Sequence, residues 1–237
     1  MSTAAERPGV TPDRIASEAL AILDEGSDES VLTMRSLAAR LGIQAPSLYA
    51  HVTGMDEIRD LVHALINSTI DVSIVDSSTS LDDLAELGSR YRSAYREHRV
   101  AASMIVTRSV NRDHALRIYE PIAAFLIRYG IARHRVMPLM ALFDNLVLGS
   151  AVEPFSAGFT GKPADYLYAY PALSTALEAT ERGRTDDEAF NIGMRLFAGL
   201  LEVERTTSGS PAGDQPSGQG FPSPSRRGTP RSSAGSR

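Results

Sequence analysis

Apolar residues recur at three- and four-residue spacing along most of the chain, the period of α-helices that bury one stripe. Ile15, Ala19, Ile22 and Leu23 form the first stripe, on a helix capped by Thr11 with Pro12 at its first position and Asp13 in its first turn. Met34, Leu37, Ala38 and Leu41 form a second, two turns long. Thr33 is its N-cap, and Gly42 follows the last stripe residue, where a left-handed backbone is cheapest for glycine. A third helix opens at Ala45 or Pro46 and turns Leu48 and Val52 inward, leaving Gln44, Ala45, Ser47, Tyr49 and His51 outward or at the rim. After a Thr53-Gly54 link, a fourth carries Ile58, Leu61, Val62, Leu65 and Ile66 on one face.

The serine-rich stretch 71–80 interrupts this pattern. Val72 and Ile74 alternate there, but a lone strand has nothing to pair with, which favours a fraying helix end and a loop. Helical spacing resumes with Leu81, Leu84, Leu87, Tyr91 and Tyr95 and ends near His98. A short segment at 101–107 precedes a longer helix at 112–129, closed by Gly130 and kinked by Pro121. From 137 to 152 the chain is apolar on nearly every face apart from Asp144 and Asn145, so this helix must be covered on all sides, centrally or in a subunit interface. A Gly- and Pro-bearing loop at 153–163 follows, then a short helix bracketed by Pro171 and Gly183. The last helix, 186–205, spreads Phe190, Ile192, Leu196, Phe197, Leu200 and Leu201 wider than one face requires. Its Gly193 and Gly199 each cost about 1 kcal/mol against alanine, which close helix approach would explain. Residues 1–10 and the Ser/Gly/Pro/Arg-rich 206–237 are expected to be a disordered leader and tail. The fold class is all-α: a three-helix unit within 11–70 and a larger helical unit over 81–205.

Composition narrows the chemistry. Without cysteine there are no disulfides and no thiolate sites. No uninterrupted apolar run approaches the roughly 18 residues of a membrane span and the N-terminus lacks a signal core, so a cytoplasmic location with no membrane partner is expected. The five histidines show no paired metal spacing, and neither a nucleophile elbow nor a phosphate-binding glycine loop is present. No catalytic residue, metal or cofactor is therefore expected. The net charge of −5 does not argue against DNA, because binding responds to the local patch. Between Thr33 and Met55 the ionisable residues are Arg35, Arg40 and His51, with no carboxylate, although the flank 24–30 (DEGSDES) is acidic. Every basic residue but Lys162 is arginine, which suits bidentate contact to guanine or phosphate and equally reflects a GC-rich genome.

Two short helices joined by a glycine turn at 33–52, the second opening with small hydrogen-bonding residues, form a helix-turn-helix whose second helix fits a DNA major groove. Helix pairs that serve only packing obey the same periodicity. The run LTMRSLAARLGIQAPSLYAHVTGMDEIRDLV resembles the DNA-binding domain of the tetracycline-repressor (TetR) family, through its L-T-x-R-x-L-A-x-x-L-G-I block and its P-S-L-Y-x-H-V helix. The likeness spans about 10–70. Region 96–155 more loosely resembles the ligand-binding domain of the branch that contains the tetracycline repressor itself.

The resemblance implies a helix-turn-helix DNA-binding domain over 11–70 and a ligand-binding and dimerisation domain over 81–205. It also implies a homodimer, built as a four-helix bundle of the last two long helices and their copies. The expected function is a ligand-responsive regulator, more often a repressor, that binds a palindromic operator and leaves it when a small-molecule effector binds. An activator, a ligand-independent DNA-binding protein, and a helical enzyme or carrier with a structural N-terminal hairpin remain alternatives. At the DNA, Arg35 matches the family position that reaches a base edge or phosphate. Gln44, Ala45 and Ser47 open the recognition helix and face the operator, and Pro46 offers apolar contact to a thymine methyl. Tyr49 and His51 match the family's phosphate-holding pair, while Thr33 either caps its helix or touches phosphate. Met55 departs from the lysine usual at that place, which removes one charge contact. For the effector, His98, Met104, Tyr119, Asn145, Glu153 and Phe155 are candidate pocket residues, each of which can equally be core. Asp71 and Ile105 stand where the tetracycline branch has its magnesium-binding histidines, so tetracycline recognition does not carry over.

Overall fold

The computed structural model describes residues 9–106, 113–152 and 155–208. The expected leader up to residue 8, the tail from 209 and the candidate Glu153 lie outside the described residues. Among those residues the chain is all-helical, with eleven α-helices, three short 3-10 turns and no strand. The helices are α1 (Pro12–Glu25), α2 (Met34–Leu41), α3 (Ala45–Leu48), α4 (Met55–Ser68), α5 (Leu81–Glu97), α6 (Arg99–Val106), α7 (Asp113–Tyr129), α8 (Arg133–Val152), α9 (Pro163–Tyr166), α10 (Pro171–Glu178) and α11 (Arg182–Ser208).

The N-terminal unit forms because α1 packs between α4 and α2, and α2 packs in turn against α3. Ile15, Ala19, Leu23, Leu37, Leu48, Ile58 and Val62 are wholly shielded from solvent there. Its core runs on without a break into the second unit. The short α6 joins the two, packing against α1, α4, α5 and α8. Ala101 and Ala102, both fully buried, keep that helix thin enough to fit. In the second unit α5 and α8 lie side by side with α7 and α11 against them. Gly88 eases this crossing: a Cβ there would stand 3.1 Å from the terminal methyl of Met194 and 3.3 Å from the Phe143 ring.

Some expectations change in detail. The 71–80 stretch holds a 3-10 turn, Ser73–Val75, that buries Val75, and Arg128 of α7 donates to the Val75 and Ser78 carbonyls. α9 was not legible in the apolar pattern; Pro163 starts it and Asp165 accepts from the Lys162 N–H. α11 is longer than 186–205 at both ends, and at its C-terminal end the hydroxyls of Thr206 and Thr207 bond back to carbonyls one turn earlier. Within the single chain α8 leaves Met137 68% and Leu142 39% exposed, so of the two placements expected for it the central one does not hold and the subunit interface stays open. By length and composition alone this helix, with a mean hydropathy of 1.3, would also suffice to cross a bilayer, a property that uninterrupted apolar runs do not reveal. A third of that window is packed against the rest of the protein, and Asp144 sits in its middle.

Candidate DNA-reading surface and the core behind it

The reader is fixed at both ends of α2. Thr33 Oγ1 accepts from the Ser36 N–H at 3.0 Å while Ser36 Oγ accepts from the Thr33 N–H at 2.9 Å, a reciprocal cap. Thr33 is therefore engaged as a cap, one of the two roles the sequence left open. At the other end Gly42 is left-handed, with φ 73° and ψ 29°. The Gly42 N–H reaches the Ala39 carbonyl and the Ile43 N–H the Ala38 carbonyl, closing α2 and setting the angle at which α3 leaves it. α3 makes one turn, and its hydrogen bonding continues to Val52, whose N–H donates to the Leu48 carbonyl. Leu48 and Val52 anchor it in the core. Beyond it, Glu57 accepts from both the N–H and the hydroxyl of Thr53, at 2.7 and 2.8 Å, and pins the start of α4. These two bonds hold the Glu57 carboxyl below its ordinary range.

Arg35, Gln44, Pro46, Ser47, Tyr49 and His51 are exposed, and Ala45 is half-buried. Tyr49 is 59% exposed, unusual for a large aromatic ring. Among the described residues no hydrogen bond or ion pair engages the side chains of Arg35, Gln44, Ser47, Tyr49 or His51. Arg40 differs. Its guanidinium forks onto Glu25 at 2.6 and 2.8 Å and reaches Glu18 at 3.0 Å, tying α2 to α1. Arg35 thus carries a positive charge on this surface that no carboxylate among the described residues pairs. Met55 is half-buried and packs against the core.

The described candidate pocket residues are spread over the end of α5, α6, α7, α8 and the 3-10 turn that follows α8. His98 ends α5 and lies against α1, its Nδ1 3.0 Å from both carboxylate oxygens of Asp24. Met104 is buried beside an open groove of about 530 Å³ between the α1–α2 turn and α6. Tyr119 donates to Asp144 at 3.1 Å. Asn145 is exposed on α8. Phe155, 70% exposed, packs edge-on to Phe159 at the rim of a small apolar cleft with Leu173 and Leu177.

Two side-chain networks that periodicity did not reveal organise the core. In the first, Tyr91 and Tyr119 both donate to Asp144 Oδ1, at 3.0 and 3.1 Å. One turn along α5, Tyr95 donates to Asn67 of α4 at 2.7 Å, and Asn67 donates to the His114 carbonyl of α7. α4, which follows the reader, is thus hydrogen-bonded to α5 and α7. Burial pushes the Tyr91 hydroxyl well above its usual range and Tyr119 up to about 12. It also raises the Asp144 carboxyl, against the lowering effect of the two phenols. In the second network Arg92, 7% exposed, pairs with Asp187 at 2.8 Å, donates to Ser150 Oγ and the Asp186 carbonyl, and lies over the Phe190 ring. Arg96 also reaches Asp187. The only advance signal for either network was the polar Asp144 in an otherwise apolar helix.

A helix-turn-helix reader joined by α4 to an all-helical body defines a DNA-binding transcriptional regulator. No family model matches the chain. A helix-turn-helix-type transcriptional regulator of Saccharopolyspora erythraea is 30% identical over 178 residues, covering 71% of this chain and 75% of that protein. The Streptomyces coelicolor TetR-family protein ActR, solved in complex with actinorhodin, superposes with a TM-score of 0.70 at 25% identity, over 84% of this chain and 99% of that one. A TetR variant from Acinetobacter baumannii, solved with minocycline, gives a TM-score of 0.61 at 20% identity over 83% and 99%. The chain belongs to the TetR family of transcriptional regulators.

Proposed function

We propose that this protein is a cytoplasmic, ligand-responsive repressor that binds a near-palindromic operator as a homodimer. The observation that carries the reading is the set of exposed, internally unengaged side chains Arg35, Gln44, Ser47, Tyr49 and His51 on one carboxylate-free helix-turn-helix. Polar groups held ready in this way suit base edges and phosphates, and an arginine fork on guanine contributes about 1–3 kcal/mol of discrimination. Dimerisation is supported by apolar side chains left uncovered on the two long helices, Met137 and Leu142 on α8 and Ile192, Leu196 and Val203 on α11. Gly199 faces open space, room a second copy can fill. Two readers then sit one helical turn of DNA apart, or a multiple of it.

Effector control is supported by two observations. ActR and the TetR variant were solved with small molecules, and the Tyr95–Asn67 bond couples α4 to the body. An effector acts by binding one placement of α4 better than the other, which alters the spacing of the readers. The reading gives the protein no catalytic role, metal or cofactor. A gel shift on the DNA upstream of its own gene tests it, with Arg35→Ala and Tyr49→Ala as controls. Saturable binding that each substitution weakens is expected; weak binding unaltered by both overturns the operator-reading assignment.

A further inference from the structure

Carboxylates that are drawn out of solvent or held between helices here meet an arginine: Glu204, whose side chain is 16% exposed, meets Arg135, and the half-exposed Asp187 meets Arg92 and Arg96. Asp144 does not. It stands midway along α8 with both phenol hydrogen bonds on the same oxygen, Oδ1. Among the described residues Oδ2 receives no hydrogen bond, and no cationic side chain pairs with either oxygen. A buried carboxylate without a counter-ion is costly, and an uncharged residue of the same shape would keep the tyrosine contacts at less cost. Tyr91 is buried, whereas Tyr119 and Asp144 are half-buried, so the cluster opens along its Tyr119–Asp144 edge. A carboxylate with one oxygen fixed and the other open, beside aromatic rings, suits an organic cation. The free oxygen accepts a charge-assisted hydrogen bond, and ring faces attract the same charge.

We propose that Asp144, oriented by Tyr91 and Tyr119, is the recognition point for an effector that carries a protonated amine on an apolar framework, and that it excludes anionic effectors. The proposal rests on the effector-responsive reading above and names the chemical class that reading leaves open. It also connects recognition to output. The Tyr91 ring packs edge-on to Tyr95 at 5.3 Å, and Tyr95 holds Asn67 of α4, so a cation drawn to Asp144 binds one helical turn from the bond that positions α4.

The test uses the full chain at pH 7 and three probes on one framework: naphthylmethylammonium, naphthalenemethanol and naphthoate. Binding is titrated by the thermal shift of the protein and, in parallel, by release of fluorescent operator DNA. The ammonium probe is expected to bind about tenfold or more tightly than the alcohol, a difference of about 1.4 kcal/mol, with naphthoate weakest. Asp144→Asn, which keeps an acceptor for both tyrosines, should remove that preference. An alcohol or naphthoate that binds as tightly as the ammonium, or no binding by any of the three, overturns the proposal on the wild-type protein alone. An unchanged ammonium preference in a cooperatively folding Asp144→Asn variant overturns it as well. Release of operator by the neutral or anionic probe would sink the amine assignment and keep the effector-responsive reading, whereas failure to bind operator at all strikes that reading itself.

Discussion

The reading surface and the core behind it keep their polar side chains in opposite states. On α2 and α3 the groups proposed to face DNA are exposed and unengaged. Behind them Tyr91, Tyr95, Asn67 and Arg92 are buried and each is bonded to a residue on another helix. A group kept for DNA must remain unspent until the duplex arrives, while one kept to hold helices together must be satisfied in the folded chain. Substitutions in the reader should therefore change affinity with little change in stability, and substitutions in the core should change stability first.

The largest effect is expected at Phe143, which is 1% exposed, packs against Phe197 and closes the space beneath Gly88. Phe143→Ala should destabilise the fold by about 3–5 kcal/mol, read from urea unfolding at fixed protein concentration because any dimer shifts the midpoint. Next is Arg92→Ala, which strips Asp187 of one partner and uncovers Phe190. A loss of about 3 kcal/mol is expected, below the upper range for a buried pair because Asp187 keeps Arg96 and is half-exposed. A loss below about 0.5 kcal/mol for either would place that residue with ordinary surface positions and erase the contrast.

The two regions also differ in how far the sequence discloses them. The reader is written in local signals: Thr11 and Thr33 as caps, Pro12 and Pro46 at helix starts, Gly42 as a left-handed stop. Each acts within a few residues, so each can be recognised before the chain is folded. The core networks join distant partners; Arg92 and Asp187 are 95 residues apart, Tyr91 and Asp144 53. Helical periodicity says that Tyr91 faces inward and does not say what it faces. The same limit hides the partners of Arg40, one of the ionisable residues between Thr33 and Met55: folding brings Glu18 and Glu25 to it. It explains the candidate pocket residues too: residue type marked Phe155 and Asn145, and the fold leaves both at the surface.

For the reader, Arg35→Ala and Tyr49→Ala should each weaken operator binding by about 1–3 kcal/mol, roughly five- to 150-fold, with melting temperatures within a degree or two of wild type. A matching loss of stability would show that these side chains support the fold after all. Thr33→Ala is the intermediate case, since Thr33 belongs to the reader and is already engaged. Removing the cap should lower stability by about 1 kcal/mol and weaken DNA binding only through fraying of α2. Thr33→Ser, which keeps the hydroxyl, should restore both. Loss of binding in Thr33→Ala with stability unchanged would instead point to a direct phosphate contact by the threonine hydroxyl.

The smallest effect is read by its sign, and it sets Asp144 apart from the paired carboxylates. Burial raises its folded-state pKa above the ordinary value of 3.8, so the folded protein holds that proton more tightly than the unfolded chain. The stability this contributes is fully present below 3.8 and is lost as the pH climbs through the raised folded value. Asp187 behaves in the opposite sense, because hydrogen bonds from Arg92 and Arg96 lower its pKa from 3.8. Its contribution is present above 3.8 and is lost as the pH falls through the lowered value. In melts taken from pH 2 to pH 7, Asp187→Asn should lose stability relative to wild type as the pH rises toward 3.8, and Asp144→Asn should gain it as the pH rises above 3.8. If the two variants instead move together, Asp144 has a counter-ion in the folded protein, and the charge that makes it a candidate anchor for a cationic effector is already neutralised.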